Sequence, residues 1–292
     1  MRITQRSVAL TSLQGLNRNL DALGKLQQQL TSGRAISRPS DSPTGTNTSM
    51  QTRAEQAAVA QQARNITDAK SWLDQGSATL MQMMEVTKRV RDLALQGING
   101  ASSPASREAL ATEVASLGQG LLTMANTSVM GRPLFGGVTA GQDAYAADGT
   151  YLGNDAGQVL RRVSDSELLR VDINGPEAFG SGATALFAVV DRIAADLRTN
   201  TGALGTDLAD LDTAFERMQG AVADVGARGS RLEGLEQINA DRQLTLRTRL
   251  GAVEDIDLPK TIMDIQMKQM GYEAALGATA KSISPTLMDY LR

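Results

Sequence analysis

The chain has 292 residues, with 29 lysines and arginines against 32 aspartates and glutamates, and it contains no histidine and no cysteine. A formal charge of -3 gives no electrostatic reason to expect nucleic-acid binding. The missing imidazoles and thiols remove the commonest bases, nucleophiles and transition-metal ligands. We therefore expect no enzyme activity, no catalytic residue, no cofactor and no bound metal.

An apolar stripe lies near the N-terminus, within residues 1–42. Its leucines recur mostly three or four residues apart, which is typical of a helix face that packs on other helices: Leu13, Leu16, Leu20, Leu23 and Leu30. Gly33 can take the left-handed conformation that closes a helix. Residues 1–42 are predicted to form one terminal coiled-coil segment.

A second helix is predicted to start at Ser42-Pro43, where a capping hydroxyl precedes a proline suited to the first helical turn. Its seam residues alternate four and three apart: Ile66, Ala69, Leu73, Gly76, Leu80, Met83, Thr87, Val90 and Ala94. Gly97 and Gly100 end this helix, and Ser103-Pro104 begins a third one. The pattern indicates a helical hairpin.

Glycines concentrate between residues 131 and 182, where QVLRRV and ELLRVDIN alternate at period two. This pattern predicts a β-hairpin in a small tip domain, residues 131–182. Helix resumes near Ala183, turns over between Thr199 and Thr206, and continues as a long apolar series from Leu208. Residues 43–130 and 183–257 are predicted as a central helical bundle.

The C-terminal segment, residues 258–292, carries a second helical stripe, broken from the bundle near Asp257 because Pro259 lacks an amide donor. The stripe begins at Leu258, and its predicted assembly residues are Ile262, Ile265, Tyr272, Leu276, Ile283, Leu287 and Leu291. The fold class is mainly α: a long antiparallel helical bundle or coiled coil formed by the N- and C-terminal segments, with a small β-containing tip domain inserted in the middle.

Three other patterns suggest sites only weakly. Gly180, Gly182 and Ala185 match a dinucleotide-binding string, but helix rather than a second strand follows them, which favours a flexible joint. The aspartates between residues 207 and 212, and those between 143 and 155, lack EF-hand spacing and fit turns and helix caps better than calcium. Trp72 lies beside the predicted seam and fits packing better than ligand stacking.

Methionines form two further groups, Met81, Met83 and Met84 and then Met263, Met267 and Met270. Core filling is the ordinary interpretation, although methionine also suits a surface that meets more than one partner.

The terminal helices are expected to need contacts with other helices to become fully ordered. A lone helix of this length is marginal in water, and a two-helix pair still leaves much of each surface wet, so ordering of the termini is predicted to be completed by assembly. The start, MRITQRSVALTSL, lacks the apolar core of a cleavable signal peptide. Export, where it occurs, is therefore expected to leave the N-terminus intact.

LTSGRAISRPSDSPTG, which starts at Leu30, contains Gly33, Arg34, Asp41 and Pro43. It resembles the N-terminal loop of the flagellin family, which includes flagellins and hook-filament junction proteins, with these four residues at the motif positions. GYEAALGATAKSISPTLMDYL resembles its closing helix, and GRPLFGG and YLGNDAGQVLRRVSDSELLRVDINGPEAFG resemble the tip of the junction proteins. The sequence departs from the family's pattern at Ala35, Ser42 and Pro259.

The resemblance implies an extracellular structural subunit of the bacterial flagellum, exported by the type III apparatus without signal cleavage. It implies contacts with identical subunits, with an adjacent hook-associated protein on the hook side, with flagellin on the filament side, and with a cytosolic export chaperone on the C-terminal helix. It implies neither nucleic acid nor membrane as a partner. Flagellin itself, a cytosolic coiled-coil scaffold and an enzyme are the alternatives, in that order.

Overall fold

The computed structural model describes residues 5–99 and 103–283, with side chains described for residues 10–99 and 103–280. The described helices are α1 (Gln5–Ser32), α2 (Pro43–Ile98), α3 (Pro104–Ala125), α4 (Gly175–Phe179), α5 (Leu186–Thr199), α6 (Leu204–Glu254) and α7 (Leu258–Ile283). The short strands are β1 (Ser128–Val129), β2 (Arg132–Pro133), β3 (Leu160–Arg162) and β4 (Leu168–Arg170). The predicted class, mainly α with a small β region inserted between long helices, is confirmed.

The chain divides into two compact units. The first comprises the described residues of Met1–Ala58 and Gln243–Arg292, and the second comprises those of Val59–Arg242. Helices α2 and α6 contribute residues to both units. The finer division into terminal segments, central bundle and tip stays a prediction.

The seam predicted along α2 is the core of the second unit. All nine predicted positions from Ile66 to Ala94 are buried, as the alternation of four and three residues requires of a helix covered along one side. The seven apolar side chains among them, all except Gly76 and Thr87, join one hydrophobic cluster with buried residues of α3, α5 and α6, including Leu121, Ile193 and Met218. Trp72 is also buried in this cluster, which accords with a packing role.

Helix boundaries follow the capping residues. Ser42 Oγ accepts a hydrogen bond from Gly45 N at 3.1 Å, and Ser103 Oγ accepts one from Ser106 N at 3.2 Å. Asp257 Oδ1 accepts from Lys260 N at 3.1 Å, so the break around Pro259 is real and α7 has its own N-cap. The turn predicted to reach Thr206 is shorter, because α6 already begins at Leu204.

The structure describes two antiparallel hairpins: β1 with β2, which crosses the predicted start of the tip because β1 precedes residue 131, and β3 with β4, which lies within residues 131–182. The second is the predicted hairpin, shorter than its apolar alternation suggested; the first, and the short α4, had no predicted counterpart. An aromatic cluster joins the tip to α5, with the ring centroids of Tyr145 and Phe187 4.8 Å apart and those of Phe135 and Phe179 4.9 Å apart. The tip therefore shares the hydrophobic core of the second unit.

The weak site patterns resolve into structural roles. Both described sheets are antiparallel two-stranded ribbons, so Gly180 and Gly182 are not part of a dinucleotide-binding unit. The Arg192 guanidinium holds Asp207 and Asp210, and Arg91 holds Asp212. Within residues 5–99 and 103–283, no three acidic side chains converge as a metal site. None of the described helices combines the length and apolar character needed to cross a bilayer.

Two neighbouring methionines of α2 test the assignment of the seam. Met83 is fully buried, whereas Met81 is half exposed. Met83→Ala should lower the free energy of unfolding by about 2–5 kcal/mol, because it removes buried apolar contact and leaves a cavity. Urea denaturation of the full chain measures this, with Met81→Ala as the matched control, expected to change stability by at most about 0.5 kcal/mol. Equal losses in both variants would contradict the assigned register.

The carboxyl groups of Asp196 on α5 and Asp207 on α6 are expected to make the folding stability depend on pH. Burial, followed by a hydrogen bond with Asp207, raises the pKa of Asp196 above its usual range. Asp207 Oδ2 is buried and has no hydrogen-bond donor among the described residues unless Asp196 carries a proton. Because the folded state holds this proton more tightly than the unfolded state, stability should fall as pH rises from about 4 through the pKa of folded Asp196.

Asp196→Asn should flatten that dependence, since an amide donates to Asp207 without a proton to lose. Thermal unfolding between pH 4 and 8 measures it, with Asp241→Asn on an exposed part of α6 as the control. An unchanged pH dependence in Asp196→Asn would contradict the prediction that a proton on Asp196 bonds to Asp207.

Candidate assembly surface

Helices α1 and α7 pack against each other in the first unit and run antiparallel. The covered side of α1 follows residues four and three apart, namely Ser12, Leu16, Asn19, Leu23 and Leu26, of which Leu16 is buried and the others are half-buried. On α7 the covered side carries Thr261, Ile265, Tyr272, Ala275 and Thr279. This spacing is that of a coiled-coil seam, but small and polar residues interrupt it.

The predicted stripe residues divide between this seam and solvent. Leu16 is buried, and Leu23, Ile265 and Tyr272 are half-buried. The rest of the described stripe side chains are exposed: Leu13, Leu20, Leu30, Leu258, Ile262 and Leu276. The side chain of Ile283 and the residues Leu287 and Leu291 lie outside the described part of the chain. The structure thus brings part of the stripe into the α1/α7 seam and leaves the remainder as an uncovered apolar face.

The loop between α1 and α2 joins the end of α1 to the connection between α6 and α7. Gly33 has a φ of 70°, and its amide bonds to Gln29 O at 2.8 Å, closing α1. Arg34 forms an isolated antiparallel bridge with Asp255, flanked by bonds from Ile256 N to Gly33 O at 3.2 Å and from Ala35 N to Glu254 O at 2.6 Å. Ala35 takes part in this connection through its backbone amide rather than its side chain.

Asp41 organises the rest of the loop. One carboxylate oxygen accepts from the amides of Ser37 and Arg38 at 3.2 and 3.0 Å, and the other pairs with Lys25 Nζ of α1 at 2.9 Å. The Lys25 hydrogen bond and then the two amides hold the pKa of Asp41 below its usual range. Pro43 follows at the first position of α2, so Gly33, Arg34, Asp41 and Pro43 each have a defined place in one turn-rich connection.

A buried carboxylate completes this connection, and sequence reasoning missed it. Glu254, the last residue of α6, is buried and accepts a hydrogen bond from Arg53 Nη2 of α2 at 2.7 Å. The two residues are 201 positions apart in the chain, so no local pattern could have paired them. The C-terminal end of α6 is therefore tied both to α2 and, through its backbone carbonyl, to the α1–α2 loop.

Two further features of the α1/α7 pair were not predicted. An open groove of about 590 Å³ runs between the helices, lined by Asn19, Ala22, Leu26 and Gln29 on α1 and by Asp264, Met267 and Gly271 on α7, with Lys25 and Lys268 at its edges. Met263, Met267 and Met270 are exposed rather than core-filling. Their spacing of four and three residues was the available signal, but they lie away from the side of α7 that carries Tyr272.

The hydrogen bonds of Asp41 predict how the α1–α2 loop responds to pH and to mutation. Because the folded pKa of Asp41 is lowered, its stabilising contribution is present above about pH 4 and is lost as pH falls through the folded pKa. Asp41→Asn should loosen the loop at neutral pH, raising amide hydrogen exchange at Ser37 and Arg38. Asp21→Asn, at an exposed position on α1, is the control and should leave both rates unchanged. Equal exchange in all three proteins would remove Asp41 from this role.

Comparison with known proteins now bears on these helices. Residues 3–140 match the family model described as the bacterial flagellin N-terminal helical region. The chain is 23% identical to flagellar hook-associated protein 3 of Escherichia coli over 95% of this chain and 96% of that protein. It is 24% identical to flagellin B of Vibrio cholerae over 79% of this chain but only 56% of that protein.

Solved structures share the fold. The crystal structure of Bacillus cereus FlgL aligns with a TM-score of 0.61 at 21% identity, covering 69% of this chain and 99% of that one. Hook-associated protein 3 of Legionella pneumophila aligns with a TM-score of 0.63 at 17% identity, covering 70% and 98%. The chain thus matches the flagellin N-terminal model over residues 3–140, is similar from end to end to hook-associated protein 3 of Escherichia coli, and shares the fold of the solved FlgL structure.

Proposed function

We propose that the chain is the structural adaptor at the junction between hook and filament, and that it assembles through α1 and α7 without a catalytic role. The carrying observation is the uncovered apolar face of the first unit, where Leu13, Leu20 and Leu276 are each about half exposed. An exposed leucine alone is ordinary, but a row of them along two paired helices indicates a surface that is covered in an assembly.

The energetics of the pair support the same role. Burial of a leucine side chain contributes about 1.5–3 kcal/mol, and α1 and α7 bury few of theirs in one another. Neighbouring subunits would add that contribution and exclude water from the backbone on further sides. The terminal helices are accordingly expected to gain most of their stability when identical copies surround them.

The partners in this proposal are identical subunits, an adjacent hook-associated protein on the hook side and flagellin on the filament side. Before export, a cytosolic chaperone would cover the C-terminal helix and keep its apolar surface from aggregating. The assembled subunit would lie outside the cell as part of the flagellum. The connection containing Gly33, Arg34, Asp41 and Pro43 would fix how α1 and α7 emerge from the longer helices α2 and α6.

Flagellin is the second candidate, since it shares the N-terminal helical region. End-to-end similarity favours the junction role: nearly the whole of hook-associated protein 3 is matched, whereas the chain spans little more than half of flagellin B. A flagellin would grow long filaments by itself on seeding. A cytosolic coiled-coil scaffold would instead have terminal helices that are fully ordered in the isolated molecule.

The experiment uses Leu20→Asp and Leu276→Asp in a strain from which the chain's gene has been deleted. Burying an unpaired carboxylate in an interface costs at least about 3 kcal/mol, so each variant should incorporate roughly a hundredfold less well. Electron microscopy should show hooks without filaments and secreted flagellin in the medium. Thermal unfolding of the second unit should be unchanged in both variants.

Leu168→Asp is the matched control, because this leucine is similarly exposed but lies on β4 of the tip. It should restore filaments like the wild-type chain. Normal filaments in the Leu20→Asp and Leu276→Asp strains, or a strain lacking the chain that still makes attached filaments, would contradict the proposed function.

A further inference from the structure

The three methionines of α7 form one exposed row, which we call the methionine row: Met263, Met267 and Met270. Their spacing places them within an arc of about 60° on a helix with 3.6 residues per turn. They are 58%, 60% and 62% exposed, respectively. Ile265 and Tyr272, which face the seam, lie roughly on the opposite side of the helix. The methionine row is therefore a second apolar face of α7 that α1 leaves largely uncovered.

The methionine row is also open to oxidation. The sequence contains 12 methionines and no cysteine, so the thioether is its only sulfur group open to oxidation. Met83 and Met218 are fully buried in the core, out of reach of an oxidant. Met81 and Met130 are exposed in the second unit and serve as references, because neither belongs to the α1/α7 pair.

We infer that the methionine row is an oxidation site that controls whether the subunit can be incorporated. The oxidant is a peroxide, such as hydrogen peroxide. The thioether sulfur donates an electron pair to one peroxide oxygen, the O–O bond breaks, and the second oxygen leaves as water after proton transfer. The sulfur is oxidised to the sulfoxide while the peroxide is reduced, so no other reactant is needed.

The consequence of oxidation follows from polarity, and it rests on the proposed assembly through α1 and α7. A sulfoxide turns a flexible apolar side chain into one with a strong hydrogen-bond acceptor. Three such oxygens on one face would be buried without matching donors when a neighbouring subunit covers α7. Oxidation thus blocks incorporation of a free subunit, whereas a subunit already assembled has its row covered. Methionine sulfoxide reductase, which reverses the modification, would restore competence.

The test oxidises the full chain with graded hydrogen peroxide and maps each methionine by peptide mass spectrometry. Incorporation is then measured on isolated hooks from a strain lacking the chain, as the fraction that grow filaments when flagellin is added. Oxidation of the row should lower incorporation at least about tenfold, the effect of 1.4 kcal/mol in binding. Reductase treatment should return it to the starting value.

A Met263→Leu, Met267→Leu, Met270→Leu variant keeps the face apolar at nearly constant volume and cannot be oxidised there. It should incorporate normally both before and after peroxide. A Met263→Gln, Met267→Gln, Met270→Gln variant mimics the polar state and should fail without peroxide. In subunits assembled before treatment, the row should be protected while Met81 and Met130 oxidise as in the free chain.

Normal incorporation of wild-type chain with all three sulfurs oxidised would overturn the inference, and so would an equal loss in the leucine variant after peroxide. Oxidation of the row at equal rates in free and assembled subunits would overturn it too. Failure of untreated wild-type chain to incorporate would instead overturn the proposed function, so the two ideas fail by different observations.

Discussion

The one-sided pairing of α1 with α7 is the constraint on which the account depends. Each helix covers one face of the other, and the seam they share contains only one buried leucine among the described residues, Leu16. Several large apolar side chains therefore remain in water on both helices, an arrangement that is costly for an isolated pair and favourable for one that will be surrounded. Because α1 and α7 cover each other on one side only, their exposed apolar side chains are available for contacts with other subunits.

In the second unit, by contrast, the apolar seam of α2 is buried along its length. All nine predicted positions of its α2 seam are buried. Two glycines of α2 admit close neighbours that a methyl group would obstruct: Gly76 contacts Ile173, between β4 and α4, and Gly97 contacts Leu197 of α5. Ion pairs such as Arg192 with Asp207 and Asp210 add specific geometry at its edge. The second unit thus has a well-covered hydrophobic core, whereas the first unit leaves apolar side chains of α1 and α7 exposed.

Regular periodicity and capping chemistry could be predicted from the sequence because both are local. The α2 register, the starts of α2 and α3 and the break before α7 needed only neighbouring residues, such as Ser42 with Pro43 and Asp257 near Pro259. The β1–β2 hairpin escaped prediction because its strands are too short to show an alternation. The partnership of Arg53 with Glu254 escaped because it depends on where distant segments meet.

The candidate surface was predicted in outline and not in detail. A stripe of leucines identifies a packing helix, but its period cannot say which side a single partner covers when apolar residues extend around the helix. That is why Leu13 and Leu20 are exposed while Leu16 and Leu23 are covered. The methionine row was assigned to core filling for the same reason, since spacing alone does not distinguish an inner face from an outer one.

Hydrogen exchange followed by mass spectrometry, on the free full-length chain and on assembled junctions, tests the central claim most directly. The account predicts that amides of α1 and α7 exchange much faster than those of the α2 seam in the free chain, and become comparably protected once assembled. Protection of α1 and α7 in the free chain equal to that of the α2 seam, with no gain on assembly, would contradict it.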